Sequence, residues 1–349
     1  MAKTEPIPVS DHRTNSFDLF RLLAASMVVV GHSYALLGKE PPMLFGNTVN
    51  NMGVSSFFSL SGYLITQSTI RDANPIRFFA RRLGRIIPAL WVCVLLSVVF
   101  GAFISRLPMS DYFAHPSTAA YLQNLVLYIQ FSLPGTFEAS QVTSAFNGSL
   151  WSISAEFFMY CVALFVALAS PFRVIALVSI FIIATIIRLT TEDFVFYHIS
   201  FYQLYSSGIY FVFGMCVALM PPSAVDRKYE LSALLLFAGL MLSCSGTFQR
   251  FGLPAIYSYA VISICRTNST SSKAITTKIG DISYGVYLYS LPVQQALIFN
   301  AEIKSPFILM LVTFAIVLPL AYASWRLVER PCLEIVKSTL KNRAIGTVV

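Results

Sequence analysis

Arg21 and His32 stand eleven residues apart inside the first apolar segment, FDLFRLLAASMVVVGHSYALLG, residues 17–38. A guanidinium can hold an anion, and an imidazole can move a proton or carry an acyl group. Within a lipid bilayer each ionisable group costs about 2.5–3.5 kcal/mol on insertion scales, so such residues mark functional sites by default. On a helix, eleven residues rise about 16 Å and end about 20° past three full turns, so both side chains lie on one face. A second reading stays open on these two residues alone: an arginine reaching to the membrane surface and a histidine that only packs.

A carboxylate and a set of arginines extend the constellation. Glu156 lies about eight residues inside NGSLWSISAEFFMY. Counted from an outer entry point it is about 12 Å deep, and His32 is about 9 Å from the outer end of its own segment. At similar depth the carboxylate would fix the tautomer of the imidazole, as in a general-base site. Two buried polar groups satisfying each other is the alternative. RDANPIRFFARRLGRIIP places five arginines in fifteen residues, and Pro88 marks the start of the next span. Arg82 and Arg85 stand at i,i+3 on one helix face, and Arg81 adjoins them. Paired arginine forks suit phosphate oxygens, although basic inner loops also serve membrane topology. Further polar groups sit in otherwise apolar segments: Ser61 and Tyr63 in a Ser/Gly-rich span, Trp151 and Ser152 beside Glu156, and Tyr287 and Ser290 in GDISYGVYLYSLPVQQ. Close helix packing and a substrate path are both open readings for them. ASWRLVERP ends the last span with Arg326, Glu329 and Arg330, an ion cluster at a membrane surface or part of an anion entrance.

These residues need a scaffold, and the composition supplies it. The chain has 349 residues, 56% hydrophobic and 11% charged, against about 25% charged for a soluble domain. This predicts an all-α polytopic membrane bundle. About ten apolar runs are long enough, or nearly so, to cross a bilayer: 17–38, 51–70, 86–106, 148–170, 172–189, 204–221, 231–248, 253–265, 280–300 and 306–328. Segment 118–133 is apolar but broken by Gln123, Asn124 and Gln130, which suggests an interfacial or re-entrant piece. Eighteen of the 24 Lys and Arg fall on one side of this arrangement, which predicts both termini in the cytoplasm and an even number of spans. The net charge of +8 is thereby read as topology, with no nucleic-acid partner. Six cysteines without C-x-x-C spacing read as packing residues, with no disulfide and no metal site. No removable signal peptide is expected. The expected organisation is a tail over 1–16, a membrane domain over 17–330 and a tail over 331–349.

Six segments in order resemble the acyltransferase-3 family of integral membrane acyltransferases. SFDLFRLLAASMVVVGHS resembles the arginine–ten residues–histidine motif, on Arg21 and His32. FFSLSGYLI resembles the SG-aromatic segment, on Ser61, Gly62 and Tyr63. FFARRLGRIIP resembles R-x-x-R, on Arg82 and Arg85. NGSLWSISAEFFMY resembles G-x-LW-S-x-x-x-E, on Trp151, Ser152 and Glu156. GDISYGVYLYSLP and WRLVERP resemble the last two motifs, the latter on Glu329 and Pro331. One position departs: the family's usual histidine after the YLY-like run is Ser290, so that histidine's role does not carry over. No SGNH-type domain follows, which aligns the chain with stand-alone members acting on O-antigen, exopolysaccharide or nodulation-factor sugars.

The resemblance implies O-acylation of a glycan or lipid-linked sugar in the bacterial inner membrane, with acetyl-CoA as donor substrate and no bound cofactor. His32, Glu156 and Arg21 would carry catalysis. Arg81, Arg82, Arg85, Arg326 and Glu329 would bind the donor. Ser61, Tyr63, Trp151, Ser152, Tyr287 and Ser290 would line the substrate path. The competing class is a glycolipid transporter, which predicts two similar halves with interrupted helices; the sequence has no convincing internal repeat. A membrane scaffold would have no need of buried Arg21, His32 and Glu156.

Overall fold

The computed structural model describes residues 16–137, 142–225, 229–241, 246, 248–266 and 279–345. The N-terminal tail, Glu138, Arg227, Lys228, Cys244, Lys273 and Lys278 lie outside the described residues.

Ten main helices follow the ten apolar runs: α1 Phe17–Ala35, α2 Val49–Arg71, α3 Pro75–Ile104, α4 Trp151–Leu168, α5 Arg173–Thr190, α6 Phe201–Leu219, α7 Tyr229–Met241, α8 Leu253–Cys265, α9 Ser283–Ala301 and α10 Pro306–Ser324. The only strands among the described residues are two-residue pairs at 43–48 and 195–200. By length and hydropathy, five helices among the described residues can cross a membrane unaided. The others carry inward polar groups or are shorter, so their place in the bilayer depends on packing against neighbours. The outward faces are apolar. Only Leu177 of α5 is buried, and Ile175 and Ile183 are 64% and 57% exposed. A helix that turns a broad isoleucine and valine face outward needs lipid as its solvent, and the chain is a membrane protein on that ground.

The core forms where backbones approach closely. A Cβ added at Gly62 of α2 would run into the Phe211 carbonyl oxygen of α6, and one at Gly214 into that of Ser59. Ser56 Oγ meets Tyr257 Oη at 2.6 Å and Ser59 Oγ meets Ser258 Oγ at 2.9 Å. Small residues and hydroxyls thus clamp α2 to α6 and α8. Gly62→Val forces a side chain onto backbone and is expected to cost about 1–3 kcal/mol, read as a lower unfolding temperature of the protein in detergent.

Three boundaries differ from the sequence reading. α3 begins at Pro75, eleven residues before the expected start at 86, and Pro88 lies inside it. Asn74 caps the helix, its side chain accepting from Arg77 N at 3.0 Å. Fully buried Phe78 gives the arginine stretch an apolar inward face. Segment 118–133 folds as one helical turn to Tyr121 and a 3-10 turn, Leu122–Val126. Asn124 of that turn is buried, and the chain then packs into the bundle through buried Ile129 and Leu133. The expected tail after 330 forms a helix, α11 Arg330–Ile345, with Val336 against Gly84 of α3.

The α2–α3 loop is tied by its own charges. Arg77 binds both Asp72 carboxylate oxygens at 2.9 and 3.0 Å, and Arg81 adds a third contact at 3.0 Å. Chiefly through Arg77, these bonds lower the Asp72 pKa from 3.8 to about 2. A depressed carboxylate pKa stabilises fully above about pH 4, and that contribution is lost as pH falls toward about 2. Protection factors for amide exchange in residues 72–77, with the intrinsic pH dependence of exchange divided out, should fall over that window and stay flat from pH 5 to 8.

Candidate active site

Five helices enclose a narrow cleft with about 70 Å³ of free space. α1 supplies Arg21, α2 supplies Ser61, α3 supplies Arg82 and Arg85, α4 supplies Ser152, Glu156 and Tyr160, and α9 supplies Ser283, Tyr284 and Tyr287. Three guanidiniums thus face one cleft. The i,i+3 spacing on α3 is what turns Arg82 and Arg85 the same way.

Their surroundings differ. Arg85 pairs with Asp281, and Arg21 reaches the same carboxylate at 3.2 Å and Asp18 at 2.8 Å. Asp281 is 7% exposed and is also held by Ser283 Oγ at 2.5 Å. Arg82 has no carboxylate partner among the described residues. Its Nε is buried without a hydrogen bond, and its guanidinium lies 5.8 Å from the Phe78 ring. Three carboxylates, Asp18, Asp281 and Glu156, stand near the three guanidiniums, and Arg82 is the cation among them that no described carboxylate pairs directly, in a place where water is scarce. Such a site attracts anions.

Beside the arginines, Ser61 Oγ donates to Glu156 Oε1 at 2.5 Å and Tyr160 Oη donates to the same oxygen at 2.8 Å. Ser152 Oγ and Tyr287 Oη are 2.5 Å apart, and Tyr287 Oη also donates to the Ser149 carbonyl at 3.0 Å. This polar wall suits amide and carbonyl groups along a slender ligand.

His32 does not meet Glu156. α1 and α2 run antiparallel, with Gly53 against the Ala24 carbonyl and Gly31 against Asn50, at 2.6 and 2.5 Å from an added Cβ. Ser61 lies eleven residues beyond Asn50 on α2. Glu156, bonded to Ser61, is therefore level with Arg21 and about 16 Å along the bundle from His32. The expectation of equal depth fails because α4 does not start at a membrane surface. The residues before it are folded into the bundle: Phe146, Asn147 and Leu150 are fully buried, and Asn147 Nδ2 donates to the Leu288 carbonyl of α9 at 3.0 Å. His32 Nδ1 is buried with no hydrogen-bond partner. One position along, Ser33 Oγ accepts from Gln294 Nε2 at 2.8 Å.

The other expected residues divide. Ser61, Arg82, Arg85, Ser152 and Tyr287 come together with Arg21 and Glu156 in the cleft. Arg81 is turned away to Asp72. Tyr63 stacks on Phe17 at 5.7 Å and takes Arg266 against its hydroxyl. Trp151 is half-buried in packing, and Ser290 donates to the Tyr287 carbonyl of its own helix at 3.2 Å. Glu329 is buried and accepts from Ser324 Oγ at 2.9 Å. Arg330 pairs instead with Glu334 at 2.9 Å, and Arg326 lies 5.8 Å from the Tyr322 ring. The expected Arg326–Glu329–Arg330 cluster is thus not formed. The five-residue wide turn Trp325–Glu329 rotates Glu329 inward and the arginines outward.

Asp281 and Asp18 are the residues that sequence reasoning missed. Their signal was available: each is a carboxylate at the start of an apolar segment, on the side where arginines gather, and a buried arginine needs a counter-charge.

A family described as an acyltransferase domain matches residues 14–326. An O-acetyl transferase of Shigella phage Sf6 is 31% identical over 325 residues, covering 91% of this chain and 96% of that protein. Nodulation protein 10 of Rhizobium leguminosarum bv. viciae is 26% identical over 380 residues, covering 96% and 97%. No solved structure matches. With the match running through every helix that lines the cleft, the chain belongs to the acyltransferase-3 family and is a membrane O-acyltransferase.

Proposed function

We propose that the protein moves an acetyl group from acetyl-CoA to a hydroxyl of a cell-surface or secreted glycan. The observation that carries the donor half is the arginine cleft, above all Arg82, half-buried, with its Nε unbonded and no carboxylate partner among the described residues. Phosphates of coenzyme A are its natural counter-charge. The arginine end carries most of the basic residues, so it faces the cytoplasm, where the donor is found. The thioester arm then lies along Ser61, Glu156 and Tyr287 and points toward the level of His32.

His32 is the general base. It takes the proton of the acceptor hydroxyl as that oxygen attacks the thioester carbonyl. The carbon–sulfur bond breaks, and the coenzyme leaves as a thiolate that is protonated in water. Tyr160 and Ser61 hold Glu156 beside the arginines, so Glu156 shapes the donor cleft and does not orient His32.

The test uses purified protein in lipid nanodiscs with radiolabelled acetyl-CoA and glycan from the producing strain. Arg82→Ala is expected to raise the donor KM about tenfold to a hundredfold, the loss of one charge-assisted hydrogen bond or two. An unchanged donor KM would remove the phosphate clamp. Glycan movement without any acetyl-CoA turnover would favour a transporter.

A further inference from the structure

A second, larger cavity of about 800 Å³ opens at the far end of the bundle from the arginines. Leu36, Leu37 and Lys39 at the end of α1 form one wall, and Gln295, Phe299 and Glu302 at the end of α9 form the other. The Lys39 ammonium donates to the Lys304 carbonyl at 3.4 Å and ties the two walls together. We propose that this cavity is the acceptor-saccharide site, which rests on the acyltransfer reading above.

Size, chemistry and position support it. Ligand pockets run from about 300 to 1,000 Å³, and this cavity, at about 800 Å³, falls within that range. The wall combines an aromatic face with an amide, a carboxylate and an ammonium. That mixture matches a saccharide, which shows one apolar face of C–H groups and a rim of hydroxyls. Phe299 is fixed for this use: Arg106 lies 5.5 Å from its ring and Phe137 stands edge-on at 5.7 Å. Gln295 Nε2 is anchored on the carbonyls of Thr143 and Ala145 at 3.2 and 3.0 Å, so its amide is positioned before any ligand arrives.

The cavity also explains the free nitrogen of His32. Leu36 stands at i+4 from His32, on the same strip of α1 and one turn beyond it. Leu36 lines the cavity, so His32 lies one helical turn, about 6 Å, below its floor. The unpartnered Nδ1 is itself buried and outside the cavity lining, so a sugar hydroxyl reaches it by displacing the intervening Leu36 side chain, while the thioester arrives from the opposite end.

Two variants and two readouts test this. Leu37→Trp fills the cavity, and Glu302→Gln removes the carboxylate at an exposed position. Acetyl content of the glycan is read by NMR in cells making each variant. Stabilisation by free coenzyme A is read from the unfolding temperature of the purified protein. Leu37→Trp is expected to lower acetyl content about tenfold or more, and Glu302→Gln about threefold, with coenzyme A stabilisation equal to wild type in both. Full acetylation in both variants would overturn the proposal, and so would loss of coenzyme A stabilisation together with acetylation. If Leu37→Trp does not fold, Glu302→Gln alone decides by the same criteria. A wild-type protein that acetylates no glycan would instead defeat the acyltransfer reading and is recognised by that control.

Discussion

Replacing His32 by alanine is expected to lower acyl transfer by about 10²–10⁴-fold, the usual worth of a positioned general base. Donor binding should not change. His32 is about 16 Å from the arginine level along α1, and none of the residues lining the donor cleft is in its turn of helix. The effect should therefore fall on kcat, with the donor KM within about twofold of wild type. A packing role for His32 predicts something else: lower stability, with activity per folded molecule preserved. The two are separated by measuring unfolding temperature and turnover on the same preparation. A His32→Ala protein that folds normally and still acetylates the glycan would eliminate His32 as the base.

Asp281→Asn is expected to produce the largest loss of stability among the cleft variants. Its carboxylate is the shared counter-charge of Arg21 and Arg85. Removing one partner of a buried ion pair leaves charge uncompensated and typically costs about 3–5 kcal/mol. Here two guanidiniums would face each other beside Arg82, a third with no carboxylate partner among the described residues. Asp18 makes a direct ion pair with Arg21, at 2.8 Å, and is itself 42% exposed. The same reasoning gives a distinguishing signature. Coenzyme A brings negative charge back to the cleft, so it should stabilise the Asn variant by more degrees than it stabilises wild type. A variant as stable as wild type, with an equal coenzyme A shift, would show that the arginines do not depend on Asp281.

Much of this arrangement was legible in the chain. All ten apolar runs became helices because continuous Leu, Ile, Val and Phe decide the solvent a segment prefers, whatever its neighbours do. Arg82 and Arg85 were correctly placed on one face because helical spacing alone fixes that. What the sequence hid was relative height. The depth of Glu156 depends on where α4 begins, and that was set by Asn147 bonding to the backbone of α9, a contact 141 residues away in the chain. The partners of the arginines were hidden for the same reason. Arg81 and Arg82 are adjacent in sequence, yet one binds Asp72 and the other faces the cleft, because successive residues point about 100° apart on a helix. Glu329 looked like a surface ion-cluster residue until the wide turn at Trp325–Glu329 swung it inward. Tyr63 and Ser290 sit within motifs but face packing, since a motif marks a stretch of helix and only one side of it reaches the cleft.

The central claim is that donor capture and proton transfer occupy two places on the route through the bundle, the arginine cleft and His32. Equilibrium binding of coenzyme A to purified wild-type, Arg82→Ala and His32→Ala proteins tests it most directly. The account predicts that Arg82→Ala weakens binding about tenfold or more, while His32→Ala binds as wild type does and transfers nothing. Wild-type affinity in Arg82→Ala, or lost coenzyme A binding in a folded His32→Ala protein, would contradict it.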